Sequence, residues 1–94
     1  MNLQKSQGKI YLALKNPLRC WIVELLKAYG ALNLSELASL LNISLGRCYY
    51  HLDNLNGLIL QNKEQRYFLS DEGIRAFQLI IRPENSRATE ELVK

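Results

Sequence analysis

The 94-residue chain has very few of the residues from which metal centres and enzyme active sites are built. It contains two cysteines, Cys20 and Cys48, and a single histidine, His51. A structural zinc site needs four suitably spaced thiolate or imidazole ligands, and three such residues in one chain cannot supply them. The sequence also lacks an acid–base pair, a nucleotide-binding loop and a metal-ligand cluster. We therefore expect no enzymatic activity, no metal or other cofactor and no small-molecule ligand.

Long hydrophobic runs are also missing. No segment approaches the roughly 18 consecutive apolar residues of a membrane-spanning helix. Residues 1–14 have neither the apolar segment nor the cleavage site of a signal peptide. We therefore expect a cytoplasmic protein with no membrane contact. Cysteines in that compartment are usually reduced. Cys48 is expected in the core, and Cys20 is either an ordinary thiol or half of an intersubunit disulfide.

The charges that are present favour one sign. The 12 Lys and Arg side chains exceed the 9 Asp and Glu side chains, which gives a net charge of +3. Residues 1–82 hold ten basic and six acidic side chains, or +4, whereas residues 83–94 hold two and three, or −1. A basic excess on the folded part is consistent with a nucleic-acid partner. The length allows one domain, which we place at residues 9–82, between a flexible N-terminus (1–8) and a polar C-terminal tail (83–94).

Hydrophobic periodicity predicts a mainly α fold with a small β-hairpin, which is an α+β winged helix-turn-helix. The order is α-α-α-α-β-β-α, at about residues 9–14, 17–29, 34–41, 44–56, 58–63, 66–70 and 71–82. Capping signals set several of these bounds. Gly30 ends the second helix, Asn33 and Glu36 form a capping box, Ser44 caps the fourth helix, and Gly57 ends it.

The same periodicity predicts which side chains face the core. In the second helix a single stripe faces inward, and Cys20 and Val23 lie opposite it. In the final helix Ala76 lies on a second face, outside the core. The side chains predicted to face inward are Leu18, Ile22, Leu25, Leu26, Tyr29, Leu37, Leu40, Leu41, Leu45, Cys48, Leu52, Leu55, Ile74, Phe77 and Ile81.

The segment 33–60 carries the most information about function. Its pattern predicts two short helices joined by a tight turn, then a glycine and a strand. This arrangement places the second helix of the pair in the DNA major groove. At about 100° per residue, the outward flank of that helix carries polar and aromatic side chains. The flank consists of Gly46, Arg47, Tyr50, Asp53 and Asn54, with Tyr49 and His51 at its two edges.

Several of these side chains suit contact with a duplex. Arg47 can pair with guanine, and Asn54 with adenine. Tyr49 and Tyr50 can bond phosphates or contact a thymine methyl group, and Gly46 lets the backbone approach closely. Alternatives remain for each: a solvated Arg47 and tyrosines that pack against the protein.

Phosphate contacts are expected around this helix. Ser44 and the free amides at the helix start can hold one phosphate. The hairpin adds Lys63, Gln65 and Arg66, which can contact the backbone or the minor groove or can simply be solvated. His51 is predicted to be a hydrogen-bonding residue at the edge or in the interior. Further phosphate candidates are Lys5, Lys9, Lys15 and Arg19.

The order of elements and four short motifs resemble the winged helix-turn-helix of ArsR-type transcription regulators of archaea and bacteria. The motifs span residues 14–82. They are Pro17-Leu18-Arg19 with Ile22, Leu25 and Leu26; Ser35-Glu36-Leu37-Ala38 with Leu41 and Ile43-Ser44; Tyr50-His51-Leu52 with Leu55 and Gly57-Leu58-Ile59; and Arg66-Tyr67-Phe68-Leu69-Ser70 with Gly73. The resemblance implies a nucleoid-associated DNA-binding protein.

The resemblance has consequences for metals and for assembly. The founding family members bind metals through a cysteine pair in the first helix of the turn, and residues 36–41 contain no cysteine here, so no metal sensing is expected. In that family the terminal helices form a twofold interface. Apolar side chains that one small core cannot cover would form it here, namely Ile10, Leu12, Ala13, Ala76, Leu79 and Ile80. We therefore expect a homodimer with two half-sites about 34 Å apart.

Three functions follow from these expectations. The first is a transcription regulator that recognises a specific DNA sequence. The second is a chromosomal or architectural protein of the archaeal type, which binds double-stranded DNA with low sequence specificity. The third is a winged helix that contacts only other proteins.

Overall fold

The computed structural model describes residues 12–79 of the chain. Residues 12–13 are helical (α1), and three further helices follow: α2 (Pro17–Tyr29), α3 (Leu34–Leu41) and α4 (Leu45–Asp53). Two strands, β1 (Ile59–Gln61) and β2 (Tyr67–Leu69), precede a final helix, α5, at 71–79. The element order expected from the sequence is confirmed. The expectations for residues 1–8, 83–94, Ile10 and Ile80 lie outside the described residues.

Local capping signals set the bounds of α2. The Asn16 side chain accepts a hydrogen bond from the backbone N–H of Leu18 at 2.8 Å, and Pro17 occupies the first turn, where its missing N–H costs nothing. At the other end Gly30 adopts φ 89°, and its N–H donates to the carbonyl of Leu26. Residues other than glycine rarely adopt that φ, so the helix ends at this position as predicted.

The turn between α3 and α4 is also defined by capping. Asn33 and Glu36 form the complete capping box that was predicted, with hydrogen bonds of 2.8 and 2.9 Å. Asn42 ends α3 in the left-handed region at φ 58°. The Ser44 hydroxyl then accepts from the N–H of Arg47 at the start of α4. These caps fix where the two helices meet.

The predicted end of α4 is wrong by about three residues. The helix ends at Asp53, with Asn54 as its C-cap, rather than at residue 56. Beyond it the N–H of Leu55 donates to the carbonyl of Leu52, three residues back, so the chain continues as tight turns. Gly57, at φ 96°, belongs to the turn that enters β1 and is not the helix stop.

The hairpin has shorter strands than predicted, three residues each, in antiparallel register with Leu60 opposite Phe68. Its connection is longer because Asn62 organises it. The Asn62 side chain accepts from the N–H groups of Glu64 and Arg66, and Gln65 adopts φ 63°. The N–H of Gln65 also donates to the carbonyl of Asn62 at 2.9 Å, which closes a β-turn at residues 62–65 that ends on a left-handed residue.

A third stretch of extended chain supports the hairpin. Leu32, in the link between α2 and α3, exchanges two backbone hydrogen bonds with Tyr67, at 3.0 and 2.7 Å. The hairpin, which we call the wing (residues 59–69), is therefore attached to the helical part through its inner strand β2.

The core contains two side chains that the sequence placed elsewhere. Val23 was predicted opposite the core stripe, yet its side chain is fully buried. The reason is that α2 packs against α3, α4 and β2, so more than one of its faces is covered. Ala76 is also fully buried, because α5 comes close to the residue before β1 at Gly73, where an added Cβ would collide with the carbonyl of Leu58. Small residues at i and i+3 allow that close approach.

Four predicted core residues are exposed instead: Tyr29, Leu40, Leu45 and Ile74. On α3 and α5 the inner face is rotated from the predicted one, as the burial of Ala38 and Ala76 shows, and this leaves Leu40 and Ile74 exposed. Tyr29 is the last residue of α2 and Leu45 is the first residue of α4, so each lies at an end of its helix. The remaining predicted core residues within 12–79 are buried or half-buried, and Cys48 is fully buried as expected.

Candidate nucleic-acid interface

The helix α4 separates its side chains into a buried and an exposed face. Cys48, His51 and Leu52 are buried. The opposite flank is open to solvent, and its members are Gly46, Arg47, Tyr49, Tyr50 and Asp53. The tyrosine side chains expose 56% and 58% of their surface. Large aromatic side chains this exposed are suited to contacting a partner.

Arg47 lies in the first turn of α4, next to the cap residue Ser44. Its side chain is exposed, and within residues 12–79 it has no hydrogen-bonding partner. An arginine in this setting keeps its planar fork of donors available for a bidentate acceptor such as a guanine edge.

Asn54 differs from its prediction as an adenine reader. It is the C-cap of α4, and its side-chain amide donates to the carbonyl of Tyr50 at 2.9 Å. A bidentate contact with adenine would need that same N–H group. The side chain is therefore already used in closing the end of the helix.

A cluster that the sequence did not reveal joins α2 to α4. The Nε of Arg19 donates to Nδ1 of His51 at 3.2 Å, and the Arg19 guanidinium lies 5.8 Å from the centre of the Tyr50 ring. The rings of Tyr50 and His51 meet edge to face, with centroids 5.3 Å apart. Burial, followed by the nearby positive charges of Arg19 and Arg47, lowers the pKa of His51 below its ordinary value. The imidazole is therefore neutral at neutral pH, which leaves Nδ1 able to accept.

The wing presents two exposed predicted contacts, Lys63 and Gln65, at its tip. Arg66, the third, is half-buried. Its guanidinium donates to the carboxylate of Glu36 at 3.0 Å and to the carbonyl of Ala31 at 3.4 Å. No local sequence pattern predicts this ion pair, because Arg66 and Glu36 are 30 residues apart.

Glu36 is held in its charged form by its neighbours. The backbone hydrogen bond from Asn33 is the largest influence that lowers the pKa of the Glu36 carboxyl, and the positive charge of Arg66 lowers it further. The same carboxylate thus caps α3 and holds the base of the wing.

An open groove lies between α4 and the wing. It has a volume of about 750 Å³ and is lined by the start of α3, the wing tip, Tyr49 and Tyr67. A smaller recess of about 300 Å³ continues it past the same two tyrosines toward the end of α4. Burial is the main cause that raises the pKa of Tyr67, so its hydroxyl stays protonated. The groove is thus lined mainly by hydroxyl and amide groups, with one cation, Lys63, and one carboxylate, Glu64.

The predicted dimer residues have different surroundings. Leu12 and Leu79 are exposed, at 63% and 56%, and Ala13 is half-buried against the core. Ala76 is fully buried within its own domain, so the prediction that it is left over for a partner subunit is wrong. Ile10 and Ile80 lie outside the described residues.

Across residues 12–79 no three His, Cys, Asp or Glu side chains lie close enough to hold a metal ion. No helix in that range is long and apolar enough to cross a membrane. Neither cysteine forms a disulfide; the Cys20 thiol donates to the carbonyl of Leu14 at 2.8 Å, and burial raises the pKa of Cys48.

Comparisons with known proteins agree with this architecture. A family model described as a helix-turn-helix domain matches residues 14–61. The matched segment begins in the link between α1 and α2 and ends with the last residue of β1. The crystal structure of the YusO protein from Bacillus subtilis is similar with a TM-score of 0.73, over 97% of this chain and 73% of that chain, at 21% sequence identity. At that identity the likeness shows a common fold. The curated proteins include no match to the sequence.

Proposed function

Because this chain belongs to the helix-turn-helix domain family, we propose that it is a DNA-binding transcription regulator that places α4 in the major groove of duplex DNA. The wing lies beside it, on the backbone or in the minor groove. The finer assignment to ArsR-type regulators is part of the proposal, supported by the four motifs in the sequence. A place in the cytoplasm, on the nucleoid, follows from the same function.

One observation carries this proposal: the exposed flank of α4 holds an arginine and two tyrosines that the fold does not bury. The buried side of the helix is fixed to the core through Cys48 and Leu52. A helix held along one side and open along the other can enter a groove without unfolding any part of the domain.

We assign contacts to the flank as follows. Arg47 pairs with a guanine through its two donors. Tyr49 and Tyr50 contact phosphates or thymine methyl groups, and Gly46 permits a close approach of the backbone. Ser44 and the first amides of α4 bind a phosphate.

The groove between α4 and the wing suits a DNA backbone strand. Its rim carries Lys63 and Gln65, which we assign to phosphate or minor-groove contacts. Its open shape and polar lining fit a continuous strand better than a compact small molecule, which would need an enclosed apolar pocket. We propose neither a cofactor nor catalysis for this chain.

A homodimer completes the proposal. One domain offers Arg47 as the single basic side chain on α4, so two domains acting on one duplex would raise the affinity. Exposed Leu12 and Leu79, with half-buried Ala13, are the described candidates for the interface. Twofold symmetry would then present two α4 helices to half-sites about 34 Å apart.

A second candidate function has its own support. With Asn54 engaged on Tyr50, Arg47 is the principal side chain left on the flank that can distinguish bases. Tyrosine contacts tolerate many sequences. An architectural protein with low sequence specificity is therefore the alternative, and a pure protein-interaction module is the third possibility.

Selection of bound fragments from a random DNA pool separates the three functions. A palindromic consensus supports the regulator, an even distribution supports the architectural protein, and recovery of no DNA contradicts both. Anisotropy titrations then test the site: Arg47→Ala should weaken binding about tenfold or more and relax the preference at one base position. Arg75→Ala, which removes an equally exposed arginine from α5, is the matched control and should leave the affinity unchanged.

A further inference from the structure

We propose that Arg19 of α2 binds a DNA phosphate and that His51 is the positioning residue that aims it. This inference rests on the proposed function and extends the DNA-binding surface from the helix-turn-helix to the start of α2. It also gives a role to the buried histidine, which contacts no base in the proposed complex.

The guanidinium of Arg19 lies between the buried side and the exposed flank of α4. Its Nε is held by Nδ1 of His51 at 3.2 Å, on the buried side of α4. Its central carbon lies 5.8 Å from the centre of the Tyr50 ring, on the exposed side. The planar group therefore extends from the interior to the flank that faces the duplex.

Two donor groups of the Arg19 guanidinium remain available for a ligand. Among residues 12–79, the two terminal amino groups of Arg19 have no hydrogen-bond acceptor, while Nε is satisfied by His51. A guanidinium fixed through Nε presents its outer N–H groups in a known plane, which suits the oxygens of a phosphate. Tyr50 borders the same group, so a phosphate bound there would lie beside the α4 flank.

Arg19 occupies a position in its helix that is unfavourable for a cation. It lies in the first turn of α2, which contains no acidic residue. The positive end of the helix dipole repels a cation there, so local stability alone disfavours arginine at this position. Residues that oppose a local preference are commonly placed for function, and an anion supplied by DNA would relieve the repulsion.

A histidine suits the place beside Arg19, because the acceptor there must be buried, neutral and able to receive N–H from an arginine. His51 is 4% exposed, and burial, followed by the nearby positive charges of Arg19 and Arg47, lowers its pKa. A neutral imidazole therefore orients Arg19 and leaves its positive charge intact, whereas a carboxylate would neutralise that charge.

The experiment measures DNA affinity and its salt dependence with a duplex of about 30 base pairs taken from the random-pool selection, long enough for two half-sites. Arg19→Gln should weaken binding roughly five- to tenfold and reduce the salt slope by about one for each subunit. His51→Phe should produce most of the same loss. The Arg19→Gln/His51→Phe double variant should bind no more weakly than Arg19→Gln alone, because both substitutions remove the same phosphate contact.

A rescue distinguishes positioning from a merely structural role. His51→Asn keeps a side-chain acceptor near the place of Nδ1 and should retain most of the affinity, although it leaves a smaller side chain in the interior. Arg75→Gln is the charge control and should leave both affinity and slope unchanged. Circular dichroism checks the folding of every variant. If His51→Phe does not fold, Arg19→Gln still tests the phosphate contact, because Arg19 is only half-buried and its replacement should be tolerated.

The outcomes separate the two proposals. If the native protein binds DNA and Arg47→Ala weakens it while Arg19→Gln does not, the phosphate role of Arg19 is wrong and the proposed function stands. If Arg19→Gln weakens binding, and the double variant loses as much binding free energy as the two single variants together, the positioning role of His51 is wrong. If the native protein binds no duplex, both proposals fall.

Discussion

The guanidinium of Arg66 binds the carboxylate of Glu36 at 3.0 Å, and this ion pair joins the wing to the first turn of α3. Both side chains are about 40% exposed, at 39% and 41%. A half-exposed pair contributes little to global stability. Its importance is that it fixes the angle of the wing to the helix-turn-helix, through a carboxylate that is already held by the Asn33 cap.

Arg66→Ala should therefore loosen the wing more than it destabilises the domain. We expect faster amide hydrogen exchange at residues 62–66 and only a slight decrease in Tm. Lys63→Ala, at the exposed tip of the same loop, is the control and should leave exchange near its native rate. Equal exchange in native protein and Arg66→Ala would mean that the turn centred on Asn62 alone orders the wing.

Asn33→Ala removes the N-cap of α3, whose side chain accepts from the N–H of Glu36. The expected loss is about 1 kcal/mol in the free energy of unfolding, because one orphan N–H loses its partner. Urea denaturation measures it. Ser35→Ala, an exposed position in the same helical turn, should change stability by less than about 0.5 kcal/mol.

Two glycines allow stability and DNA binding to be separated. At Gly73 an added Cβ would collide with the backbone carbonyl of Leu58, so Gly73→Ala should cost about 2–3 kcal/mol. At Gly46 an added Cβ meets nothing, and alanine favours a helix, so Gly46→Ala should raise stability by up to about 1 kcal/mol.

The same Gly46→Ala variant should bind DNA more weakly, since the new methyl group occupies the surface at which the backbone approaches the duplex. Thermal denaturation and anisotropy on one sample give both quantities. An increase in Tm with unchanged affinity would show that the start of α4 stays clear of the DNA.

His51 should make the domain less stable as the pH falls. Its pKa in the folded protein is lowered, by burial first and then by Arg19 and Arg47, so the unfolded chain binds a proton more readily than the folded one. The stabilising effect is complete above the ordinary histidine pKa and is lost as the pH falls through that value toward the folded one. Urea denaturation from about pH 7.5 to about pH 5.5 spans the upper part of this window.

His51→Asn is the variant that isolates this titration. It has no ionisable side chain, so its free energy of unfolding should change less over that pH interval than the native value does. Parallel profiles for the two proteins would assign the pH dependence to the carboxylates.

The homodimer can be tested at its described apolar surface. Sedimentation should give a dimer for the native protein at micromolar concentration, and Leu79→Glu should shift it toward monomer, because a buried unpaired carboxylate is costly. Leu60→Glu, at a similarly exposed leucine on the wing, is the control and should remain dimeric. A monomeric native protein would remove the homodimer from the proposed function.

What the sequence could predict depends on how local each signal is. Gly30 and the Asn33 capping box act within four residues, and the end of α2 and the start of α3 were predicted correctly from them. The end of α4 was predicted wrongly. Gly57 belongs to the turn before β1, but it follows α4 closely enough in the sequence to resemble the glycine that ends a helix.

Burial and long-range contacts were harder to predict. Val23 is covered because α2 has neighbours on several sides, and Ala76 because α5 comes close at Gly73; neither depends on the periodicity of one helix. The Arg19–His51 contact joins residues 32 positions apart, and no local pattern marks it. For the candidate site, the exposed flank of α4 was predicted, whereas the engagement of Asn54 and Arg66 within the protein was not.

The short link from α2 to α3 has little room for evolutionary change in length. Gly30 turns the chain, Leu32 pairs with Tyr67 in the sheet, and Asn33 begins the next helix. One inserted residue would move Leu32 out of register and separate the sheet from the helices. Insertions and deletions among homologous chains should therefore accumulate at the tip of the hairpin and spare this link.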